Sequence, residues 1–150
     1  MFEFKDMDYI TDGEIALRID EKLPENPEKK YVPAYRYKIT LNDSVEPIGE
    51  IDIRIGDNEG IFYGGHIGYM IEEDYRGNAY ASKACRLIGK VAMAHGMEKV
   101  TITCNPDNYP SRRTCEKLGA ELIEIVDLPE DNEMYQAGEK QKCRYLWTIE

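Results

Sequence analysis

The chain has 150 residues, the length of one ordinary domain, so we expect a single domain over 1–150. Hydrophobic residues make up 42% and charged residues 32%, a composition typical of a folded globular chain rather than a disordered one. The formal net charge of −10 gives a surface field that repels nucleic acid and anionic membranes, and we therefore expect neither as a partner.

The cysteines and the N-terminal residues indicate the cellular compartment. The four cysteines stand far apart, without a C-x-x-C pair, and the chain has only two histidines, so we predict neither a metal site nor a disulfide framework. The N-terminal residues lack the basic and apolar regions of a secretory leader, and no apolar run approaches the roughly 18 residues of a membrane span. The sequence thus predicts a soluble, cytoplasmic protein.

Alternation of apolar and polar residues predicts the first three strands. Ile15, Leu17 and Ile19 share one face of a strand over 14–20. The next segment, 22–33, carries three prolines and reads as a connection. The alternation then returns twice, and the two resulting strands should form a hairpin: 35–41 and 48–55.

The period changes after a glycine-rich loop and a fourth strand at 66–72. Apolar residues between 80 and 95 follow the spacing of an amphipathic helix that ends at Gly96. The remaining elements are a strand at 100–104, a helix at 110–118 closed by Gly119, a strand at 120–128, a polar loop and a strand at 143–149. This order predicts an α/β fold with a mixed sheet of about seven strands, parallel around the first of two main helices.

The segment from Ile71 to Ala84, IEEDYRGNAYASKA, leads from a strand through a charged turn and a loop of small residues into the first helix. Small residues let backbone N–H groups approach an anion, a helix N-terminus adds partial positive charge, and Arg76 supplies a fork of donors. The segment alone is compatible with a phosphate-binding turn and equally with a purely structural strand-to-helix turn.

Two blocks resemble the GCN5-related N-acetyltransferase (GNAT) family. YRGNAYA, at 75–81, resembles the R-G-x-G-x-A pyrophosphate loop of the family, and NPDNYPSRRTCEKLGA, at 105–120, is similar to the block that follows its fifth strand. The resemblance implies a splayed sheet in which coenzyme A inserts between the fourth and fifth strands. It also implies acetyl-CoA as co-substrate and direct attack on the thioester by a primary amine, on a small molecule or a protein; a homodimer is left open.

The resemblance assigns residues to the cofactor. Backbone groups of Met70, Ile71 and Glu72 would bind the pantetheine arm, and Asn108 would contact the coenzyme or hold the splayed fifth strand. The pyrophosphate would lie against Arg76, Gly77, Asn78, Ala79, Tyr80 and Ala81. Ala79 stands where many relatives have a second glycine, a difference that matters if its φ is positive.

The sequence departs from the family at two places. The connection 22–33 is too short and too rich in proline for the two helices that usually follow the first strand and wall the acceptor site. Cys115 stands where many members have a tyrosine that protonates the departing thiolate. The chain therefore resembles the branch with N-x-x-S, in which Ser111 would be the acid; a helix-cap serine is the structural alternative.

For the general base, His66 is the first candidate, because its ordinary pKa of about 6.5 suits proton removal at neutral pH. A strand-end histidine bonded to the glycine-rich loop is the structural alternative, and Glu50 is the carboxylate candidate. The polar loop 128–142 would be a lid that uses Tyr135, Glu139 and Arg144, or else a solvated loop.

Three functions remain open at this point. The first is an N-acetyltransferase, for which the acidic chain favours cationic acceptors. The second is a non-catalytic acyl-CoA sensor that keeps the 76–81 turn. The third is a protein-interaction domain in which that turn is only structural.

Overall fold

In the computed structural model, residues 2–149 are described and form eight strands and four helices. The strands are β1 (Tyr9–Thr11), β2 (Ile15–Leu23), β3 (Ala34–Leu41), β4 (Pro47–Arg54), β5 (Ile67–Ile71), β6 (Lys99–Cys104), β7 (Glu121–Asp127) and β8 (Gln141–Thr148). The helices are α1 (Glu59–Gly64), α2 (Tyr80–Ala94), α3 (Tyr109–Leu118) and α4 (Glu133–Gln136). A 3-10 turn covers Glu73–Tyr75.

The strands form two sheets, β1-β2-β3-β4-β5 and β6-β8-β7, and each ladder within them is antiparallel. The predicted hairpin of β3 and β4 is confirmed. Across the described chain β5 and β6 form no ladder; they meet where β5 begins, at a backbone hydrogen bond of 2.7 Å from His66 N–H to the Thr101 carbonyl. The predicted parallel ladder is thus replaced by an open gap, which leaves backbone groups on both edges unpaired.

Helix α2 covers this gap from one side and packs against both sheets. Its buried face, which includes Leu87, Ile88 and Val91, lies in one continuous core with the first sheet. Gly89 lets the second sheet approach, because a Cβ at this position would lie 2.9 Å from the Trp147 ring on β8. The core therefore fixes the angle between the two sheets and, with it, the gap between β5 and β6.

The α/β class, the splayed sheet and the two main helices are confirmed, and residues 24–33 contain no helix. Three short elements were missed. β1 has only three residues, which is too few for a pattern, and α1 and α4 lie in segments that read as loops. Their N-caps are the signals that were overlooked: Asn58 accepts from Ile61 N–H and Asn132 from Met134 N–H.

No helix within residues 2–149 is both long and apolar enough to cross a membrane. The four cysteines are buried free thiols. In this same part of the chain, no three His, Cys, Asp or Glu side chains are grouped so that they could hold a metal ion.

Candidate active site

The turn between β5 and α2 has the shape of an anion-binding site. Gly77 and Ala79 both have left-handed backbone angles, with φ of 88° and 62°. No side chain of the described residues caps the N-terminus of α2, and its first turn contains no acidic residue. The first N–H groups of the helix are therefore free of side-chain acceptors and of negative charge, which is the condition for binding an anion there.

Side chains hold this turn in place. The Arg76 Nε donates to the Ile71 carbonyl at 2.9 Å, which fixes the guanidinium group beside the end of β5. The Asn78 Nδ2 donates to the Tyr75 carbonyl, and the Ser82 hydroxyl donates to the carbonyl of Ala79. Arg76, Gly77 and Asn78 remain exposed, so the turn offers its donors to solvent.

Because the φ of Ala79 is positive, its methyl group is strained. We expect Ala79→Gly to raise the free energy of unfolding by about 0.5–1 kcal/mol. The variant removes about 1–2 kcal/mol of backbone strain, which exceeds the entropic cost of a glycine. Urea denaturation measures this difference. Ala81→Gly in the same helix, at an ordinary helical position, should instead lower stability by about 0.5–1 kcal/mol. Equal losses in both variants would contradict the strained conformation.

Of the three residues predicted to offer backbone groups to the pantetheine arm, Glu72 has both of its groups bonded within the protein. The Glu72 N–H donates to the Ile48 carbonyl at 2.8 Å, and the Glu72 carbonyl accepts from Tyr75 N–H at 2.9 Å. Met70 is 42% exposed and Ile71 holds Arg76 through its carbonyl. β5 also lies unusually close to β4, because a Cβ at Gly49 would approach the Met70 carbonyl oxygen to 2.3 Å.

His66 is not placed as a general base. Its Nδ1 accepts from Thr101 N–H at 2.9 Å, so the ring carries its proton on Nε2, which donates to the Gly56 carbonyl at 2.9 Å. The side chain is 7% exposed, and burial lowers its pKa. The base assignment therefore does not fit the geometry: both ring nitrogens are used to hold β6 and the glycine-rich loop at the point where the sheets separate.

We expect His66→Ala to lower the free energy of unfolding by about 2–4 kcal/mol, because it leaves two partly buried backbone groups, the Gly56 carbonyl and the Thr101 N–H, without partners. The lowered pKa means that wild-type stability is full above pH of about 6.5 and falls as the pH drops toward the folded-state pKa. That decline should be shallower in the variant when unfolding is measured across this range. If the variant were as stable as the wild-type chain at neutral pH, that result would contradict the structural role of His66.

The N-terminus of α3 carries two of the predicted site residues. Asn108 is its N-cap, since Oδ1 accepts from Ser111 N–H at 3.3 Å. This bond lies within α3 and not on β6, which was one of the two roles predicted for Asn108; the residue after β6, Asn105, instead accepts from Lys142 Nζ on β8 at 2.7 Å. Ser111 is half-buried, and its hydroxyl makes no hydrogen bond within residues 2–149. Cys115 is fully buried, and burial raises its pKa to about 12.

Asp52 is a candidate that the sequence did not single out. It lies on β4 opposite Gly68 of β5, and its Oδ1 accepts from Gly68 N–H at 3.0 Å. Burial raises the pKa of this carboxyl group, while the nearby Arg54 opposes the increase. Gly68 is the signal that could have revealed it: a Cβ there would lie 2.8 Å from Asp52 Oδ1, and a glycine inside a strand indicates a close neighbour.

Asp52 faces a cleft of about 240 Å³ formed by residues of β3, β4 and β5. Arg36, Glu50, Ile51, Asp52, Gly68, Tyr69 and Met70 line this cleft. Glu50, the earlier carboxylate candidate, is half-buried and forms an ion pair of 3.3 Å with Lys38.

Helix α1 connects the two sheets. Its Tyr63 carbonyl accepts from the Thr103 hydroxyl on β6, and its Phe62 ring lies 3.7 Å from the guanidinium carbon of Arg144 on β8. On the other side, Arg54 of β4 donates to the Gly65 carbonyl that follows the helix.

The loop 128–142 contains the short helix α4 and is held near its C-terminal end by side-chain contacts, while many of its residues are exposed. Lys142 is buried, and its Nζ donates to Glu139 at 2.8 Å as well as to Asn105. Lys140 lies over the Tyr135 ring at 4.0 Å. Arg144, predicted to belong to a lid, contacts α1 and Glu124 instead.

The comparison with known families decides the assignment of this site. A family model described as an acetyltransferase (GNAT) domain matches residues 6–121. The chain belongs to the GNAT acetyltransferase family. The matched segment contains both sequence blocks and every residue predicted to bind the cofactor or to act in catalysis, whereas the predicted lid residues, β8 and most of β7 lie beyond it.

Individual GNAT proteins agree with this assignment. The uncharacterized N-acetyltransferase YnaD of Bacillus subtilis (strain 168) is 29% identical over 136 residues, which are 79% of this chain and 75% of that protein. The GNAT-family acetyltransferase of Bacillus anthracis has a similar fold, with a TM-score of 0.66, 18% identity, and coverage of 93% of this chain and 98% of that one.

Two further solved structures were determined with ligands. RimL, a ribosomal L7/L12 alpha-N-protein acetyltransferase in complex with coenzyme A, has a TM-score of 0.66 and 16% identity, covering 93% of this chain and 98% of that chain. The microcin C7 self-immunity acetyltransferase MccE, in complex with acetyl-CoA and AMP, has a TM-score of 0.60 and 19% identity over 77% of this chain. This chain spans 61% of the length of the MccE chain.

Proposed function

We propose that residues 1–150 act as one acetyl-CoA-dependent N-acetyltransferase domain, which transfers an acetyl group to a primary amine. The observation that supports this most is the uncapped N-terminus of α2, with its left-handed Gly77 and Ala79, at the open end of the gap between β5 and β6. An anion-binding turn beside two unpaired strand edges suits a ligand that has a pyrophosphate and an amide-containing arm.

The residues of this turn fit the cofactor. The pyrophosphate would be held by Arg76, Gly77, Asn78, Ala79, Tyr80 and Ala81, with Met70 and Ile71 beside the pantetheine arm. Asn108 would act indirectly, by capping α3. When bound, acetyl-CoA supplies an activated thioester carbonyl for attack by the amine.

Two side chains of the protein would handle protons. Asp52 would accept the proton of the attacking amine, because its raised pKa makes it a stronger base than an ordinary carboxylate. Ser111 would donate a hydrogen bond to the departing sulfur, as in the branch with N-x-x-S, since its hydroxyl is unengaged.

The acceptor would enter through the cleft beside Asp52. Glu50 and Asp52 place two carboxylates there, which favours a cationic amine. An amine on a small molecule and the N-terminus of a protein are both cationic amines of this kind. RimL, by its name, acts on the second kind of group.

The test is incubation of the purified protein with acetyl-CoA and a panel of polyamines, amino acids, aminoglycosides and N-terminal peptides. Mass spectrometry should show one added acetyl group on a cationic member of the panel. Binding of acetyl-CoA without transfer to any member would support a sensor instead, and the absence of binding would support an interaction domain.

A further inference from the structure

Tyr69, in the middle of β5, carries a buried hydroxyl that has no partner. The ring points toward the α2 and α3 side of the sheet and is half-buried, while its hydroxyl oxygen is inaccessible to solvent and makes no hydrogen bond within residues 2–149. An unpartnered buried hydroxyl is costly, and in a native structure it often serves a functional purpose.

The side chains around this hydroxyl determine which partner it could bond. Ser111 and Thr114 of α3 lie near enough to oppose the increase that burial causes in the pKa of Tyr69, although neither forms a hydrogen bond of normal geometry with it. Thr114 already donates to the Pro110 carbonyl at 3.0 Å. The Cys85 and Cys115 thiols, also close, are buried and neutral. The Ser111 hydroxyl is therefore the neighbour with both its proton and its acceptor capacity uncommitted.

We propose that Tyr69 is a positioning residue for Ser111: when coenzyme A is bound, the Tyr69 O–H donates to Ser111 Oγ and thereby directs the Ser111 proton toward the sulfur of the coenzyme. This inference rests on the proposed acetyltransferase function.

The role is consistent with the chemistry of the step. The amine nitrogen forms a C–N bond, the C–S bond breaks, and its electron pair goes to sulfur. Asp52 takes the proton that the amine loses, and the thiolate gains a proton from solvent when it is released. The atoms and charges of the reaction therefore balance without another reactant. Ser111 and Tyr69 keep their protons and stabilise the charge on sulfur.

The test compares Tyr69→Phe with the wild-type chain by calorimetry, using coenzyme A and desulfo-coenzyme A, which lacks the sulfur. We expect affinity for coenzyme A to fall about 3- to 10-fold and affinity for desulfo-coenzyme A to stay unchanged. The melting temperature should not fall, because the hydroxyl has no partner in the free protein. Tyr69→Phe combined with Ser111→Ala should lose no more affinity than Ser111→Ala alone.

Tyr37→Phe is the matched control, since Tyr37 is fully buried on β3 and its hydroxyl donates to the Met7 carbonyl at 2.8 Å. It should lower the melting temperature and leave both affinities unchanged. The inference would be overturned if Tyr69→Phe lost affinity equally for both ligands or lost no affinity at all. It would also be overturned if the affinity losses of Tyr69→Phe and Ser111→Ala were fully additive. If the wild-type chain binds neither coenzyme A nor desulfo-coenzyme A, both the proposed acetyltransferase function and this inference are wrong.

Discussion

Gly77→Glu is expected to weaken coenzyme A binding by about 2–4 kcal/mol, or about 30- to 900-fold. The change places a carboxylate among the backbone donors that would face the pyrophosphate, so like charges meet where a set of charge-assisted contacts is lost. A Cβ at Gly77 would meet no atom within 4 Å, so the side chain itself does not clash in the free protein. Calorimetric titration with coenzyme A measures the difference.

Gly96→Glu is the control for this substitution. Gly96 follows the other end of α2, has a similar φ of 80°, and would also have no atom within 4 Å of a Cβ. The backbone strain is therefore comparable, and coenzyme A affinity should remain that of the wild-type chain. If Gly77→Glu kept its affinity while circular dichroism showed an intact fold, the turn would not be the pyrophosphate site.

Asp52→Asn is expected to lower kcat by about 10²- to 10⁴-fold, the range for loss of a positioned base. Asparagine keeps an oxygen that can accept from Gly68 N–H, so β4 and β5 should stay paired and coenzyme A affinity should be unchanged. The raised pKa of Asp52 means that wild-type activity falls as the pH drops through a value above the ordinary 3.8 of an aspartate. This fall at low pH should be absent when kcat of the variant is measured as a function of pH.

Glu50→Gln tests the alternative carboxylate in the same cleft. Glu50 lies two residues earlier on β4, is half-buried, and forms an ion pair with Lys38, so its loss should change kcat by a few-fold at most. If Glu50→Gln lost as much as we expect for Asp52→Asn, while Asp52→Asn remained active, the base would be Glu50.

Much of the architecture could be predicted from the sequence because its signals are local. The alternation in β3 and β4, and the spacing of the buried face of α2 up to Gly96, depend only on neighbouring residues. The gap between β5 and β6 could not be derived in this way, since it results from the packing of α2 against both sheets. It came from the resemblance of two sequence blocks to the GNAT family.

The roles of single side chains were the least predictable part. His66 looked like a base because histidine titrates near neutral pH, but Thr101 and Gly56, which are distant in sequence, occupy both ring nitrogens. Asp52 looked like any polar residue of an alternating strand, and its burial depends on its position opposite Gly68. Hydrogen bonds between distant segments decide such cases, and a single sequence does not record them.

The most direct test of the proposed site is hydrogen exchange of the wild-type chain with and without saturating acetyl-CoA, followed by mass spectrometry. We expect slower exchange in peptides that contain 77–82, where the uncapped N–H groups of α2 would bind phosphate, and in peptides from the facing edges 67–71 and 101–105. The hairpin of β2 and β3 should be unaffected. Unchanged exchange at 77–82 with saturating ligand, or protection confined to other surfaces, would contradict the assignment of this gap as the acetyl-CoA site.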